Sequence, residues 1–284
     1  MRDMQEKQEG VAEVNGTTLH YEIAGVGHPC VLIHGHLLDR RSWDAQFAVF
    51  ARRYRVMRYD QRGFGDSGLI TRGEAYSDRQ DLCALLAFLG IERTYLVGVS
   101  GGGSLAIDFT LEHPEMVAAL IPVTAGVSGF QLSEDLLSRH SDIVRLQEDL
   151  DEAFARYDIA QAVEISLKLW TDGPGRLPGQ ADPGVRERVR EMTARNWARP
   201  DEEAQTETPP VPLEPPARGR LAEIDVPTLV ILGAFDGPNP LADLVAEIPG
   251  AQKVTIAQTA HHPFMERPDE FNRIVLDFLG SLTS

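Results

Sequence analysis

The sequence predicts an α/β protein: a mostly parallel sheet with helices on both faces, interrupted once by an inserted block of helices. Three observations carry that expectation. Short β-rich runs at residues 30–34, 55–59, 95–99, 117–123, 228–232 and 253–257 alternate with stretches at 42–51, 76–89, 102–112, 239–248 and 268–279 whose apolar residues recur at helical spacing. Such alternation builds βαβ units, and a parallel sheet covered on both faces needs strands that are apolar throughout. The rhythm then fails between residues 126 and 218, where helical patterns occur without a convincing strand. Finally, 284 residues suffice for one large core plus an insertion.

In chain order, residues 1–10 are polar and contain no apolar stretch of the signal-peptide kind. Residues 11–14 and 18–23 flank Asn15-Gly16, a pair suited to the positive φ that both central positions of a type I′ turn require, so an antiparallel hairpin comes first. The six parallel-type strands and their helices follow. Within the insertion, residues 133–150, 158–170 and 183–197 are amphipathic, with a Gly/Pro-rich segment at 172–184. A proline cluster at 208–216 closes the block. Val226-Pro227-Thr228 then returns the chain to the sheet at a strand's first residue, where proline's missing N–H does least harm. The expected division is a core of residues 1–125 and 219–284 carrying a helical cap at 126–218.

Composition narrows the function classes. Hydrophobic residues make up 43% and charged residues 25%, a globular balance that excludes a disordered or fibrous chain. With 27 basic against 43 acidic side chains the net charge is −16, a field that repels nucleic acid and anionic lipid. No apolar run approaches the roughly 20 residues of a spanning helix. Cys30 and Cys83 are too few for a disulfide framework and fit a reducing compartment, so a cytoplasmic protein with no membrane or nucleic-acid partner is expected.

The chemistry concentrates in three loops. Gly98-Val99-Ser100-Gly101-Gly102 follows a strand and opens a helix, the context that a nucleophile elbow of the G-x-S-x-G type requires. Small residues two before and two after the serine let strand and helix approach closely. No G-K-[ST] follows, so the glycines do not read as a phosphate cradle. A serine hydroxyl needs a general base, and the base needs a carboxylate to hold its tautomer. His261 and His262 lie just after the last strand, on a loop of the kind where open α/β sheets place function, and position alone does not separate them. Asp236, in Gly233-Ala234-Phe235-Asp236-Gly237-Pro238 after the preceding strand, is the candidate acid; its rival role is to cap the next helix. Asp225 and Glu223 fall at the opposite sheet edge, and Glu266 sits beside His261 on the following helix. Gly63-Phe64-Gly65-Asp66-Ser67-Gly68 matches G-x-G-x-x-G, but it does not open the first βα unit and Asp81 lies inside a helix, so no dinucleotide is expected. H-E-x-x-H, C-x-x-C and EF-hand patterns are absent, His261 and His262 should point apart, and no metal or cofactor is expected.

The order Ser100, Asp236, His261 is similar to that of the α/β-hydrolase superfamily. Val31-Leu32-Ile33-His34-Gly35, Trp43, Tyr59-Asp60-Gln61-Arg62-Gly63-Phe64-Gly65-Asp66-Ser67-Gly68, the elbow and residues 224–236 and 261–268 spread the resemblance over nearly the whole chain. It implies the α/β-hydrolase fold, with Ser100 as nucleophile and Asp236 as the orienting acid. The family pattern G-H-x-P-x-x-E-x-P overlays residues 260–268 and selects His261 as base, with Ala260 in the place of glycine. It also implies an oxyanion hole from the amides of Gly101 and His36, an imidazole standing where the family often has an aromatic or aliphatic residue, and a loop-pinning role for His34. The implied activity is hydrolysis of a small-molecule carboxylic ester or lactone without cofactor, and residues 34–123 are most similar to 3-oxoadipate enol-lactonase-like and small-ester hydrolases. A serine at the elbow argues against haloalkane dehalogenase and epoxide hydrolase chemistry. Carbon–carbon bond hydrolases and perhydrolases share the triad, and a non-catalytic small-ligand receptor shares the fold; these are the alternatives. Phe130, Phe154, Tyr157, Trp170 and Trp197 of the insertion either line a pocket or pack the cap.

Overall fold

Asn15 and Gly16 take φ of 46° and 73° and turn β1 (Gln8–Val14) back onto β2 (Thr17–Ala24), as their side chains predict. This hairpin opens a computed structural model that describes residues 7–131, 133–177, 179–198 and 209–282. The next strands are β3 (Pro29–Ile33), β4 (Arg55–Tyr59), β5 (Thr94–Val99), β6 (Val117–Val123), β7 (Leu229–Gly233) and β8 (Gln252–Ile256). They form one eight-stranded sheet in the order β1-β2-β4-β3-β5-β6-β7-β8, antiparallel through the β2–β4 pair and parallel from there on.

Every residue of β5 and β7 is buried, which is why those strands read as continuous apolar runs. Their side chains alternate between two cores. Val31 and Ile33 join Leu82 and Leu85 of α2 (Asp78–Phe88) and Leu105 of α3 (Gly101–Glu112) on one face. Cys30 and Leu32 join Phe47 of α1 (Asp44–Phe50) on the other.

Between β6 and β7 stand α4 (Glu134–Arg139), α5 (Ser141–Ala155), α6 (Ile159–Ser166) and α7 (Pro183–Trp197), and no strand occurs there among the described residues. Residues 132, 178 and 199–208 of the insertion lie outside the described ones. Leu150, Ala153, Ala162, Ile165 and Leu169 form a small core of their own. The pattern at 133–150 is one amphipathic run, yet the chain breaks at His140; Ser138 and Arg139 side chains both donate to the Asp135 carbonyl and compete with the helix ladder there. The run at 158–170 likewise ends as a π-helical turn, Leu167–Asp172, stopped by Gly173 at φ 79°. After β7 come α8 (Pro240–Leu244), α9 (Pro263–Glu266) and α10 (Pro268–Ser281), the last packing Phe271 and Val275 beside Phe47. No helix among the described residues is long and apolar enough to cross a membrane.

Candidate active site

β5 ends at Val99 and α3 begins at Gly101, so the whole turn falls on Ser100, which holds φ 53° and ψ −123°. A residue with a Cβ pays conformational energy there and keeps the shape only because its surroundings enforce it. Ser100 N–H donates to the Val123 carbonyl at 2.9 Å, and the Ser100 carbonyl accepts from the amides of Gly103 and Ser104, both at 2.9 Å. A Cβ on Gly98 would collide with the Gly102 carbonyl, and one on Gly102 with the carbonyls of Ile33 and His34. The elbow glycines are therefore steric necessities.

Asp236 and His261 come from the ends of neighbouring strands and meet. His261 Nδ1 donates to Asp236 Oδ1 at 2.8 Å, with both side chains buried. The second carboxylate oxygen accepts from Asn239 Nδ2 at 3.2 Å, and Asn239 also caps α8 by accepting from Leu241 N–H. Asn239 thus takes the capping role that was the rival reading for Asp236. The His261 backbone is held on three sides. Its N–H donates to the Trp170 carbonyl at 3.3 Å, its carbonyl accepts from Thr124 Oγ1 at 3.0 Å, and the preceding Ala260 amide donates to Glu266 at 2.7 Å. Glu266 is itself bridged to Arg176 of the insertion.

A cavity of about 150 Å³ joins these loops, lined by Ser100, His261, His262 and Trp170 together with Gly35, His36, Leu37 and Leu38. His261 and His262 were expected to point apart. Their rings are inclined at 73° with centroids 5.4 Å apart, and the steeply inclined pair nonetheless reaches one cavity. Gly101 is the first residue of α3, so its amide has no acceptor within the helix and lies at the positive end of the helix dipole. The His36 ring packs against it: a Cβ on Gly101 would lie 2.5 Å from His36 Nε2. The Phe64 ring lies nearly parallel to the His36 ring, with centroids 6.0 Å apart, and His36 stays exposed.

His34 is fully buried, donating from Nδ1 to the Gly35 carbonyl at 2.8 Å and accepting at Nε2 from Gln61 N–H at 3.0 Å, so it pins two loops together. The aromatic group of the insertion divides. Trp170 faces the cavity 4.8 Å from the His261 ring, Phe154 and Trp197 pack on each other, Phe130 joins the sheet core and Tyr157 is exposed.

The loop at 60–68 is a scaffold. Asp60 accepts from the backbone amides of Arg40 and Asp66 at 2.7 and 2.8 Å, and a Cβ on Gly65 would collide with its carboxylate. His20, Asp60 and Asp66 bring ligand-type atoms within 4.8 Å of one another, but the Arg40 guanidinium donates to both carboxylates and supplies that group's positive charge. Sequence reasoning missed Asn239, Thr124 and the α7 side chains Thr193 and Asn196. Only Asn239 carried a local signal, an Asn-Pro pair at a helix start. Thr193 Oγ1 donates to the Leu37 carbonyl at 3.0 Å, and Asn196 Nδ2 donates to the Leu38 carbonyl at 3.0 Å, on the loop that bears His36.

Residues 30–274 match the model of the alpha/beta hydrolase family. A pimeloyl-[acyl-carrier protein] methyl ester esterase of Pectobacterium carotovorum subsp. carotovorum is 29% identical over 266 residues, covering 92% of this chain and 98% of its own. A 2-hydroxy-6-oxononadienedioate/2-hydroxy-6-oxononatrienedioate hydrolase of Paraburkholderia phymatum is 30% identical over 288 residues, covering 93% and 92%. Among solved structures, the enol-lactonase from Burkholderia xenovorans LB400 superposes with a TM-score of 0.70 at 25% identity, over 95% of this chain and 100% of the other.

Proposed function

The chain belongs to the alpha/beta hydrolase family, and on that premise we propose that it hydrolyses a small carboxylic ester or lactone through Ser100, His261 and Asp236. The observation that carries this reading is that His261, paired with Asp236 at 2.8 Å, lines the same cavity as the strained Ser100. In the first half-reaction His261 Nε2 takes the Ser100 proton as Oγ bonds to the substrate carbonyl carbon. The oxyanion that forms is held by the amides of Gly101 and His36. Collapse breaks the carbon–oxygen bond to the leaving alkoxide, which takes the proton from His261, and the acyl group stays on Ser100. In the second half-reaction His261 takes a proton from water, the hydroxide displaces Ser100 from the acyl carbon, and the proton returns to Oγ. Asp236 holds the imidazole tautomer and balances its transient charge. The helices at 126–218 act as a cap over this site, with Trp170 as its inward face.

A cavity of about 150 Å³ holds a ligand on the scale of benzene, so short acyl chains fit best. The test is hydrolysis of nitrophenyl esters from acetate to decanoate by the wild type, Ser100→Ala and His261→Ala. The expected result is a maximum at acetate to butyrate and a loss of about a thousandfold or more in both variants. Wild-type turnover in Ser100→Ala overturns the assignment. Inertness of the wild type toward every ester, with cleavage of a vinylogous 1,5-diketone, moves the reading to carbon–carbon bond hydrolysis on the same triad.

A further inference from the structure

Asp236 and His261 stand on two loops that touch each other and a third segment of chain. Phe235 N–H donates to the Thr259 carbonyl at 2.8 Å, which ties the residue before Asp236 to the approach to His261. Residues 170–176 of the insertion lie across both loops. The Trp170 carbonyl accepts from His261 N–H at 3.3 Å, and a Cβ on Gly173 would stand 2.6 Å from Ala260 Cβ and 2.7 Å from the Phe235 carbonyl oxygen. Three residues on, Arg176 Nη2 donates to the Gln258 carbonyl at 2.6 Å and to Glu266 Oε2 at 2.5 Å, and its guanidinium carbon lies 5.4 Å from the centre of the Phe235 ring. Glu266 Oε1 in turn accepts from the Ala260 amide at 2.7 Å, one residue before His261. We propose that Arg176 is a positioning residue for the hydrolysis: it fixes Phe235 and residues 258–260, and through them the approach of His261 Nδ1 to Asp236 Oδ1. The inference deepens the ester-hydrolase reading and rests on it.

The chain before His261 needs such a hold. Gln258 has φ 58°, a left-handed conformation that costs energy for a residue with a side chain and persists only where its neighbours enforce it. Arg176 holds the Gln258 carbonyl, and Arg267 donates to the Gln258 side chain. Released, Gln258 gains by relaxing to negative φ, and His261 three residues later moves with it. Charge works in the same direction. The side chains of Arg176 and Glu266 are 3% and 5% exposed, so removing the guanidinium leaves a buried carboxylate without its counter-charge. A carboxylate that turns toward water to escape burial gives up the Ala260 amide. A guanidinium suits this place because its planar fork meets several acceptors in fixed directions, whereas an ammonium is a point charge on a flexible stem. Proton transfer between Ser100 and His261 depends steeply on such placement, since a shift of about 1 Å can cost about a hundredfold in rate.

Separate kcat and KM values for nitrophenyl acetate in the wild type, Arg176→Met, Arg176→Lys and Arg188→Ala test the assignment. Because His261 serves both half-reactions, displacing it lowers kcat and leaves KM nearly alone. Arg176→Met is expected to lose between about ten and a hundredfold in kcat, with KM within about threefold of the wild type. Arg176→Lys keeps a charge and donors for both acceptors, and should recover about threefold or more of that loss. Arg188→Ala cuts a half-exposed tie from the insertion to Asp44 and the Arg41 carbonyl, on neither loop, and should keep kcat within about twofold. Arg176→Gln, uncharged and too short to span both acceptors, stands in by the same readouts if the methionine variant does not fold. An unchanged kcat in Arg176→Met, a loss carried by KM, an equal loss in Arg188→Ala, or no recovery in Arg176→Lys overturns the positioning role and leaves the ester-hydrolase reading intact. No hydrolysis of any ester by the wild type overturns both.

Discussion

The loops at the carboxyl ends of the strands and the helices between β6 and β7 contribute to one cavity by different physical means. In the loops, backbone topology sets position: Ser100 is the turn from β5 to α3, and Asp236 and His261 follow β7 and β8. The insertion puts Trp170 on that cavity and is tied to the rest of the molecule through side chains. Thr193 and Asn196 hold the Leu37 and Leu38 carbonyls, Arg195 pairs with Asp66, Arg188 with Asp44, and Arg176 with Glu266. The first arrangement tolerates almost no change of shape, because close-packed backbone has nowhere to move. The second is a set of separable bonds whose loss is graded. The loop bearing His36 belongs to both regions, since it leaves β3 and is held by α7.

Breaking the first region should have the largest effects. Gly98→Ala forces a Cβ into the Gly102 carbonyl and is expected to cost several kcal/mol, on the order of 3–5, read as a lowered denaturation midpoint or loss of soluble protein. Asp236→Asn keeps the shape but removes the charge beside His261, and should lower kcat by about a thousandfold with little change in melting temperature. Retention of more than a tenth of wild-type kcat would remove Asp236 from the proposed triad.

Breaking the second region should give intermediate and then small effects. Asn196→Ala removes the bonds to Leu38 O and Gly65 N from a buried position and is expected to cost about 2 kcal/mol, with kcat falling about tenfold and KM changing less. A loss confined to melting temperature would mean that α7 supports the fold without positioning the His36 amide. Arg195→Ala deletes a half-exposed pair and should shift stability by less than about 1 kcal/mol.

Two of the ion pairs made by the insertion also differ in pH response. Burial would raise Asp66, but Arg40 and Arg195 overcome it and bring the carboxyl down to about 2. Its stabilising contribution is therefore complete above the ordinary aspartate range and is lost only as pH falls through about 2. Glu266 goes the other way: its burial outweighs Arg176 and the Ala260 amide, and its pKa lies above the ordinary value of 4.5. The folded state then binds the extra proton, so stability from this group falls as pH rises from 4.5 through the folded pKa. Melting temperatures between pH 4 and 7 should show that decline in the wild type and a flatter profile in Glu266→Gln, whatever the variant's absolute stability.

Much of the first region was legible in the residues. Asn15-Gly16 turns where its φ preferences demand, and β4, β6 and α7 have the bounds that periodicity predicts. The elbow could be read because its demand for small residues falls on immediate neighbours. The pairing of Asp236 with His261 was legible only as far as the strand ends; residue order left His261 and His262 equal, and a family pattern separated them before the 2.8 Å bond did. The single helix expected over 133–150 failed because side chains at 138 and 139 bond a carbonyl that periodicity ignores.

Local sterics and periodicity act between residues close in sequence, so the strand order of events, the hairpin, the strained serine and the apolar layers were already written in the chain. Asn196 reaching Leu38 across 158 positions, Arg176 reaching Glu266 across 90, and His262 arriving beside Ser100 on one cavity leave no such trace. Those partnerships exist only once packing has brought distant loops within hydrogen-bond range. Tertiary structure alone therefore decided how the His36 loop is held and which side chains share the Ser100 cavity, because hydrogen bonds are directional and short while sequence separation sets neither direction nor distance.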